Sequence, residues 1–247
     1  MKIAIASYAF YGLHREGKID LFGYLESCTY RYHLRAADIW NGMMLSTEDE
    51  YLLKVKDALD ERGLELANLC VDGAHIWEDD PEVREQHVQN ALAHLHAAEL
   101  LGAKTIRIDA GGRDETWSEE QFDLIVKSYR EYAQRAYDNG YKVGPENHWG
   151  AELDPQNMKM LCEAVDHPGF GMLLHCKDLA ADTVMAPWAM HTHMAWAITE
   201  GNLAQTMTML RDAGYDGCWS VEHHTGKNEY TEVAVQLAKV RDVLDRW

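Results

Sequence analysis

Carboxylate and imidazole side chains recur directly after short apolar runs in the second half of the chain. Four of them come from four consecutive runs: Glu146, His175, His193 and Glu222. Charged and imidazole groups are costly to bury without partners. Two carboxylates and two imidazoles together form a borderline-hard ligand set that suits Mn²⁺, Mg²⁺, Co²⁺ or Zn²⁺. The residue types therefore predict that the four side chains converge on one divalent cation.

Eight short apolar runs, each followed by a helical pattern, must position these side chains. Continuous apolar runs of this length are typical of strands buried on both faces, as in parallel sheets. The predicted strands are residues 3–6, 36–40, 66–71, 105–109, 142–146, 171–175, 188–193 and 217–222. Eight strand–helix alternations predict one domain over residues 1–247, an α/β (β/α)8 barrel whose function lies at the carboxyl ends of the strands.

The main alternative architecture is an open, doubly wound sheet. No G-x-G-x-x-G motif follows any predicted strand, and this argues against its nucleotide-binding form. Helix starts are marked by Asp80-Pro81, by Asp154-Pro155 and by Ser118 with Gln121 three residues later. Pro187 interrupts the short stretch between the sixth and seventh strands, so we expect any helix there to be very short.

Composition and charge narrow the class of partner. The 247 residues are 47% hydrophobic and carry a formal net charge of −18, which disfavours nucleic acid and anionic membranes as partners. No stretch approaches the roughly 20 apolar residues of a membrane span. Five widely spaced cysteines without a C-x-x-C pair indicate reduced thiols. We therefore expect a cytoplasmic protein, and a homo-oligomer is compatible with the sequence.

Short motifs at successive strand ends resemble one family of barrels. They are Ala37-Asp38-Ile39-Trp40, Glu146-Asn147-His148, His191-Thr192-His193, and Gly214-Tyr215-Asp216-Gly217 leading to Ser220-Val221-Glu222. Together and in this order they resemble the sugar phosphate isomerase/epimerase family, the xylose isomerase-like TIM barrels. The resemblance covers essentially the whole chain. It is fairly specific for the family and poorly specific for the substrate.

The resemblance implies a ligand set with one departure from the family pattern. Glu146, His193 and Glu222 match the family's ligands on the fifth, seventh and eighth strands. On the sixth strand the family often has an aspartate ligand, followed three residues later by a substrate-binding histidine. This chain has His175 first and Asp178 second, as if the two had exchanged. We expect His175 to be the ligand, with Asp178 as the alternative.

The resemblance also implies an enzyme, a metal-dependent isomerase or epimerase that acts on a sugar, keto-sugar or sugar phosphate. In that chemistry a carboxylate removes a proton next to a carbonyl and an enediolate forms. Glu146 and Glu222 are the candidate catalytic residues that remove and return the proton. Six residues near strand ends are expected to contact the small carbohydrate substrate: Trp40, His75, Arg107, His148, Lys177 and Asp178.

Other functions and purely structural roles remain open. A metal-dependent lyase acting on a keto-sugar or keto-glycoside would use the same carbanion chemistry, and a non-catalytic sugar-binding barrel would use the same pocket. The charge of −18 argues against the apurinic-endonuclease branch of the superfamily.

Arg107 could simply pair with Asp109. His191 lies two residues from His193, so we expect it on the same strand face, one layer deeper.

Overall fold

The computed structural model describes residues 2–247, in which eight strands alternate with helices. The strands are β1 (Lys2–Ile5), β2 (Ala36–Trp40), β3 (Glu65–Val71), β4 (Thr105–Ile108), β5 (Lys142–Gly144), β6 (Met172–Cys176), β7 (Ala189–Ala195) and β8 (Cys218–Glu222). The helices are α1 (Tyr11–Arg15), α2 (Leu21–Glu26), α3 (Asp49–Arg62), α4 (Pro81–Leu101), α5 (Glu119–Asp138), α6 (Pro155–Val165), α7 (Leu179–Met185), α8 (Trp196–Glu200), α9 (Leu203–Asp212) and α10 (Glu229–Leu244).

The strands form two parallel four-stranded arcs that close into one barrel. One arc has the order β1-β8-β7-β6 and the other β2-β3-β4-β5. A bridge between Ala6 and Asp38 joins the arcs on one side, and a bridge between Glu146 and Leu173 joins them on the other. At the second junction a Cβ on Gly144 would overlap Gly171 O, so glycine permits this close approach. The prediction of a single (β/α)8 barrel is confirmed.

The end of the fifth strand differs from the sequence prediction. Residues 142–146 were expected to be extended, but β5 ends at Gly144. Pro145 follows, and a proline has no N–H to donate to the strand ladder. Glu146 then pairs with Leu173 as an isolated bridge, and its N–H donates to Asp109 Oδ1 at 3.1 Å. The seventh strand is longer than expected and ends at Ala195.

Side chains cap the helices where the sequence predicts. Asp80 accepts a hydrogen bond from Glu82 N at the start of α4, and Ser118 forms a reciprocal capping box with Gln121 at the start of α5. The helix after β6 is short, as Pro187 predicts, because α7 ends at Met185 and a 3₁₀ turn over Ala186–Trp188 follows. These caps fix where each chain segment leaves the barrel rim.

A buried polar network fills the barrel below its carboxyl end. Asp38 Oδ2 accepts from His191 Nε2 at 2.8 Å and from Ser220 Oγ at 2.7 Å, while Asp38 Oδ1 accepts from Asn68 Nδ2 at 2.9 Å. His191 therefore lies in the layer below His193, as expected from the two-residue spacing. A buried carboxylate with all of these bonds is satisfied and gives a rigid floor to the barrel mouth.

The predicted state of the thiols agrees with the structure. All five cysteines are unpaired and buried: Cys28, Cys70, Cys162, Cys176 and Cys218. Burial raises the pKa of Cys28 to about 12, so this thiol is protonated and packs as a small apolar residue. None of the helices in residues 2–247 is long and apolar enough to cross a membrane.

A buried carboxyl group in α7 gives a first testable consequence. Asp182 is 1% exposed, and within residues 2–247 neither carboxyl oxygen has a partner in a hydrogen bond of normal geometry. Burial raises the pKa of this carboxyl to about 7, whereas an unfolded aspartate has a pKa of about 3.9. The folded state therefore binds the extra proton between these values, and stability falls as the pH rises from about 4 to about 7.

We expect Asp182→Asn to stabilise the protein at pH 8 by about 1–2 kcal/mol, because the amide removes the cost of a buried charge. The gain should be smaller at pH 5, where the native carboxyl is protonated. Urea unfolding at both pH values measures this difference. Asp212→Asn, at an exposed position, is the matched control. A gain that is the same at pH 5 and pH 8 would contradict the assigned pKa.

Candidate metal centre

Four side chains meet at the carboxyl end of the barrel, three from the β1-β8-β7-β6 arc and one from its junction with β5. One ligand atom from each lies within 4.8 Å of those from the other three: Glu146, His175, His193 and Glu222. All four residues are buried. His175 and His193 are directly paired across β6 and β7, while Glu222 is the last residue of β8. The barrel closure thus brings the four candidate ligands together.

The separations between ligand atoms match those around a single ion. His175 Nδ1 lies 2.9 Å from Glu146 Oε1, and His193 Nδ1 lies 3.1 Å from Glu222 Oε2 and 3.5 Å from Glu146 Oε1. Ligands bound at about 2.0–2.2 Å lie about 3.0–3.5 Å from one another. Among residues 2–247, His193 Nδ1 and Glu222 Oε2 have no partner in a hydrogen bond of normal geometry. The site therefore fits a divalent cation.

Asp38 orients the histidine on the seventh strand. Its Oδ2 lies 2.9 Å from His193 Nε2, and a proton on Nε2 leaves Nδ1 as a lone-pair donor facing Glu146 and Glu222. A carboxylate behind a histidine ligand is a common means of fixing its tautomer and raising its basicity. Ser220 and His191 hold the same carboxylate from the other side. The polar floor of the barrel thus aims His193 into the site.

Opposing effects set the ionisation of the two glutamates. Burial alone would raise the pKa of Glu146, but the neighbouring imidazoles of His148, His175 and His193 hold it well below its usual value. Burial likewise opposes ionisation of Glu222, but His193 and His175 lower its pKa. Both glutamates are therefore ionised at neutral pH, which suits metal ligands and proton acceptors alike.

The imidazoles around the cluster respond in different ways. Burial lowers the pKa of His175, against the effect of Glu146 and Glu222, so this ring is neutral and has a lone pair available. Burial also acts to lower the pKa of His193, but the charges of Glu222 and Asp38 raise it well above the usual value. A bound cation would replace that proton, because metal binding and protonation compete for the same nitrogen.

Arg107 is held by carboxylates at the edge of the cluster. Its Nη1 donates to Asp109 Oδ2 at 2.8 Å and its Nη2 to Asp72 Oδ1 at 2.9 Å. Its Nε lies 3.3 Å from Glu146 Oε2. The pairing with Asp109, which the sequence left open, is present. Arg107 still lines the cavity, but its main role in the structure is to balance three acidic side chains.

A cavity of 530 Å³ opens above the cluster, within the size range of small-molecule sites. It is lined by Trp40, Arg107, His148 and Lys177 of the residues expected to contact substrate. One wall is aromatic, since the rings of Tyr8 and Trp40 meet edge to face at 5.0 Å. Trp40 Nε1 donates to Asp72 Oδ2 at 2.6 Å, which fixes the indole.

Two residues expected at the substrate lie elsewhere. Asp178 Oδ1 accepts from Ala181 N at 2.9 Å as the N-cap of α7, so the helix start takes this carboxylate away from the cluster. Of the two residues considered for the sixth strand, the structure brings His175 to the site. His75 is not part of the cavity lining and contacts Glu78, with Nδ1 and Oε1 2.6 Å apart.

Several residues at the site were assigned no role from the sequence, although Asp38 belongs to one of the family motifs. Asp38 and Asp72 line the cavity, as do Tyr8 and His224. Asp38 had a signal, because it is a charged residue inside the apolar strand 36–40. Tyr8 had none, since it lies in a 3₁₀ turn over Ser7–Phe10 directly after β1. His224 follows Glu222 by two residues, and its Nε2 lies 3.0 Å from Glu222 Oε2.

Comparison with known proteins agrees with this architecture. A family model described as xylose isomerase-like TIM barrel matches residues 34–243. No curated protein sequence matches the chain. Among solved structures, an IolI protein with bound zinc superposes with a TM-score of 0.79 at 13% identity, covering 100% of this chain and 99% of that one.

Two further structures illustrate the range of similar barrels. A D-psicose 3-epimerase, solved in the presence of D-fructose, has a TM-score of 0.71 at 14% identity and covers 100% of this chain and 98% of its own. A probable 3-DHS dehydratase, AsbF from Bacillus anthracis, has a TM-score of 0.73 at 16% identity and covers all of both chains. At these identities the similarity shows the shared fold.

Proposed function

Because this chain belongs to the xylose isomerase-like TIM barrel family, we propose that it is a metal-dependent isomerase or epimerase of a small polyhydroxylated carbonyl compound. The observation that carries the proposal is the buried group of two carboxylates and two imidazoles at the floor of an open cavity. The structural similarity to a D-psicose 3-epimerase supports the reaction class, and that to a zinc-bound IolI protein supports the metal.

The candidate ligands are Glu146, His175, His193 and Glu222. When bound, a divalent cation would supply Lewis-acid polarisation of a substrate carbonyl, which makes the neighbouring C–H bond more acidic. The donor set of nitrogen and oxygen atoms is compatible with Mn²⁺, Mg²⁺, Co²⁺ and Zn²⁺. Asp38 serves as a positioning residue that keeps His193 in the required tautomer.

The two glutamates are suited to move the proton. Both are ionised and border the same cavity, so one carboxylate removes the proton next to the carbonyl and the other returns one to the resulting enediolate. Each has an imidazole nearby: His148 Nδ1 lies 3.2 Å from Glu146 Oε2, and His224 Nε2 lies 3.0 Å from Glu222 Oε2. Both histidines are partly exposed and offer a path for protons to solvent.

The cavity wall indicates the substrate class. The Tyr8 and Trp40 rings provide an apolar face, and Lys177 and His148 provide polar donors on the cavity lining. Within the part of the chain that the structure describes, the one hydrogen-bond contact of Lys177 Nζ is long, 3.5 Å to Asn147 O, so the ammonium is available to substrate oxygens. An apolar face with hydrogen-bond donors on other sides suits a small keto-sugar.

A lyase is the second candidate, and His148 favours it. The pKa of this imidazole is raised: burial opposes protonation, but the charges of Glu146 and Asp109 outweigh it. A protonated imidazole beside a carboxylate base can donate its proton to a departing hydroxyl. The carboxylate then removes the C–H proton, the C–O bond breaks, and water leaves. The similarity to a probable dehydratase is in line with this.

One experiment separates the two candidates. The protein is loaded with Mn²⁺ and incubated in D₂O with a panel of ketoses and keto-glycosides, and the products are analysed by mass spectrometry and NMR. An isomerase or epimerase gives an isomer that carries one solvent deuteron on carbon. A lyase gives a product lighter by one water. No solvent deuterium in any substrate and no product would contradict both proposals.

Asp38→Asn should weaken metal binding by about 10–100-fold, because partners of metal-bound histidines have effects of this size. The amide keeps one acceptor oxygen, but its NH₂ group then faces either the Asn68 donor or the donors of His193, His191 and Ser220. His193 therefore loses its fixed tautomer. Competition with a metal chelator measures the affinity, and circular dichroism shows that the variant is folded. Asp212→Asn at an exposed position is the control. Unchanged affinity in Asp38→Asn would remove the positioning role.

A further inference from the structure

A second group of possible metal ligands lies on the barrel rim, outside the cavity. It comprises His75 and Glu78 in the loop after β3 and His87 in α4, and one ligand atom from each lies within 4.8 Å of the others. Glu78 Oε1 is 2.6 Å from His75 Nδ1 and 3.6 Å from His87 Nδ1. None of the three residues lines the cavity above the first cluster.

We propose that His75, Glu78 and His87 bind a second transition-metal ion, which clamps the β3–α4 loop onto α4. Two imidazoles and one carboxylate favour zinc and its neighbours over magnesium or calcium, which prefer oxygen ligands. Three protein ligands leave a position for water. The site would be structural, because none of its three residues lines the cavity above the first cluster.

The three ligands are anchored independently of one another. Next to His75, Ile76 N donates to Asp109 O at 3.1 Å and so ties the loop to β4. The carbonyl of Glu78 accepts from Arg84 Nε at 2.8 Å, and the Arg84 guanidinium lies 3.7 Å from the centre of the Trp77 ring. His87 is held by the second turn of α4. The backbone is thus preorganised before any ion binds, which lowers the entropy cost of forming the site.

One feature of His87 is not explained if hydrogen bonds alone hold the three residues together. Its Nδ1 is buried and has no hydrogen-bond partner in the part of the chain that the structure describes, although it faces Glu78 Oε1. The separation of 3.6 Å is too long for a hydrogen bond. It is close to the spacing of about 3.4 Å expected for two ligands of one zinc ion.

The charge state of the group also suits a cation. Burial lowers the pKa of His87, and the neighbouring His75 lowers it further, more than Glu78 raises it. A neutral imidazole has a free lone pair, which is the form that binds metals. The two histidines share a single carboxylate, so the group as a whole carries net negative charge when both rings are neutral. A divalent cation would be attracted to it.

The clamp would brace one side of the cavity from behind. The His75 ring packs against Trp149 with centroids 4.5 Å apart, and Trp149 follows His148, which lines the cavity. Fixing His75 therefore fixes the indole that supports this segment. The bound ion would stabilise the loop and would take no part in the reaction.

Zinc stoichiometry tests the proposal directly. The protein is stripped with a chelator, dialysed against zinc alone, and its zinc measured by elemental analysis with circular dichroism to verify folding. We expect two equivalents in the wild type and one in His87→Gln. His193→Ala should also retain one equivalent, the ion bound by His75, Glu78 and His87. His96→Gln, a half-exposed histidine of the same helix, is the matched control and should retain two.

The double variant His87→Gln with His193→Ala should bind no zinc, and zinc should raise the melting temperature of His193→Ala but not that of the double variant. Equal zinc content in the wild type and His87→Gln would overturn the second site. The zinc content of His193→Ala tests the first cluster separately. Failure of one site can therefore be distinguished from failure of the other.

Discussion

Glu146→Gln and Glu222→Gln are each expected to reduce turnover by about 10²–10⁴-fold or more. Glutamine keeps the shape of the side chain and one oxygen ligand, but it cannot accept the proton from carbon. Both carboxylates are buried, ionised and close to partly exposed histidines. Because each carboxylate serves one of the two proton transfers, we expect that neither carboxylate can replace the other.

The measurement is the rate of solvent deuterium incorporation into the substrate identified by the ketose panel. Glu163→Gln is the matched control, since this glutamate lies on the exposed side of α6, and its rate should equal that of the wild type. If one glutamate variant still exchanges the carbon-bound proton without completing the reaction, that glutamate returns the proton. Full activity in either variant would remove its catalytic role.

Arg107→Met is expected to destabilise the fold by about 3–5 kcal/mol, the effect of removing one partner from a buried ionic group. The guanidinium is within 3.3 Å of carboxylate oxygens on Asp72, Asp109 and Glu146. Methionine retains the apolar stem but leaves Asp109, which is 1% exposed, without its countercharge. The loss should be larger for the protein without metal, because a bound cation compensates part of the negative charge.

Urea unfolding of the chelator-treated protein measures this effect. Arg246→Met, at an exposed position near the end of the chain, is the control and should change stability by less than about 0.5 kcal/mol. A loss for Arg107→Met as small as that of the control would show that the carboxylates are satisfied without the guanidinium. In that case the main role of Arg107 would be to line the cavity.

Strand periodicity is the reason that so much of the barrel was predictable. Buried parallel strands give short apolar runs, and polar residues at their carboxyl ends must meet because the strands are parallel and in one ring. That reasoning brought Glu146, His193 and Glu222 to one point without any structural information. It favoured His175 and kept Asp178 as the alternative, because the two lie three residues apart at the end of the same strand. The fold separates them, because Asp178 Oδ1 accepts from Ala181 N as a helix cap, while His175 lies with the other three candidate ligands.

Contacts between residues that are distant in the chain could not be predicted from the sequence. Asp38 contacts His191 and His193, which lie 153 and 155 positions away in the sequence. No local sequence pattern indicates which strands lie opposite each other in the barrel. Of the rim group, only His75 was singled out from the sequence, as an expected substrate contact, and its proximity to Glu78 and His87 was not predicted. Their contact depends on how the loop is tied to β4, which follows from the tertiary fold alone.

Metal content of purified variants tests the central claim most directly. In the His87→Gln background, which removes the rim site from the count, we expect close to one equivalent of divalent metal. Glu146→Ala, His193→Ala and Glu222→Ala in that background should each lose it, and His175→Ala should lower it. Asp178→Ala should keep it. Metal retained in every variant, or none taken up on reconstitution, would contradict the account of the barrel mouth as a metal centre.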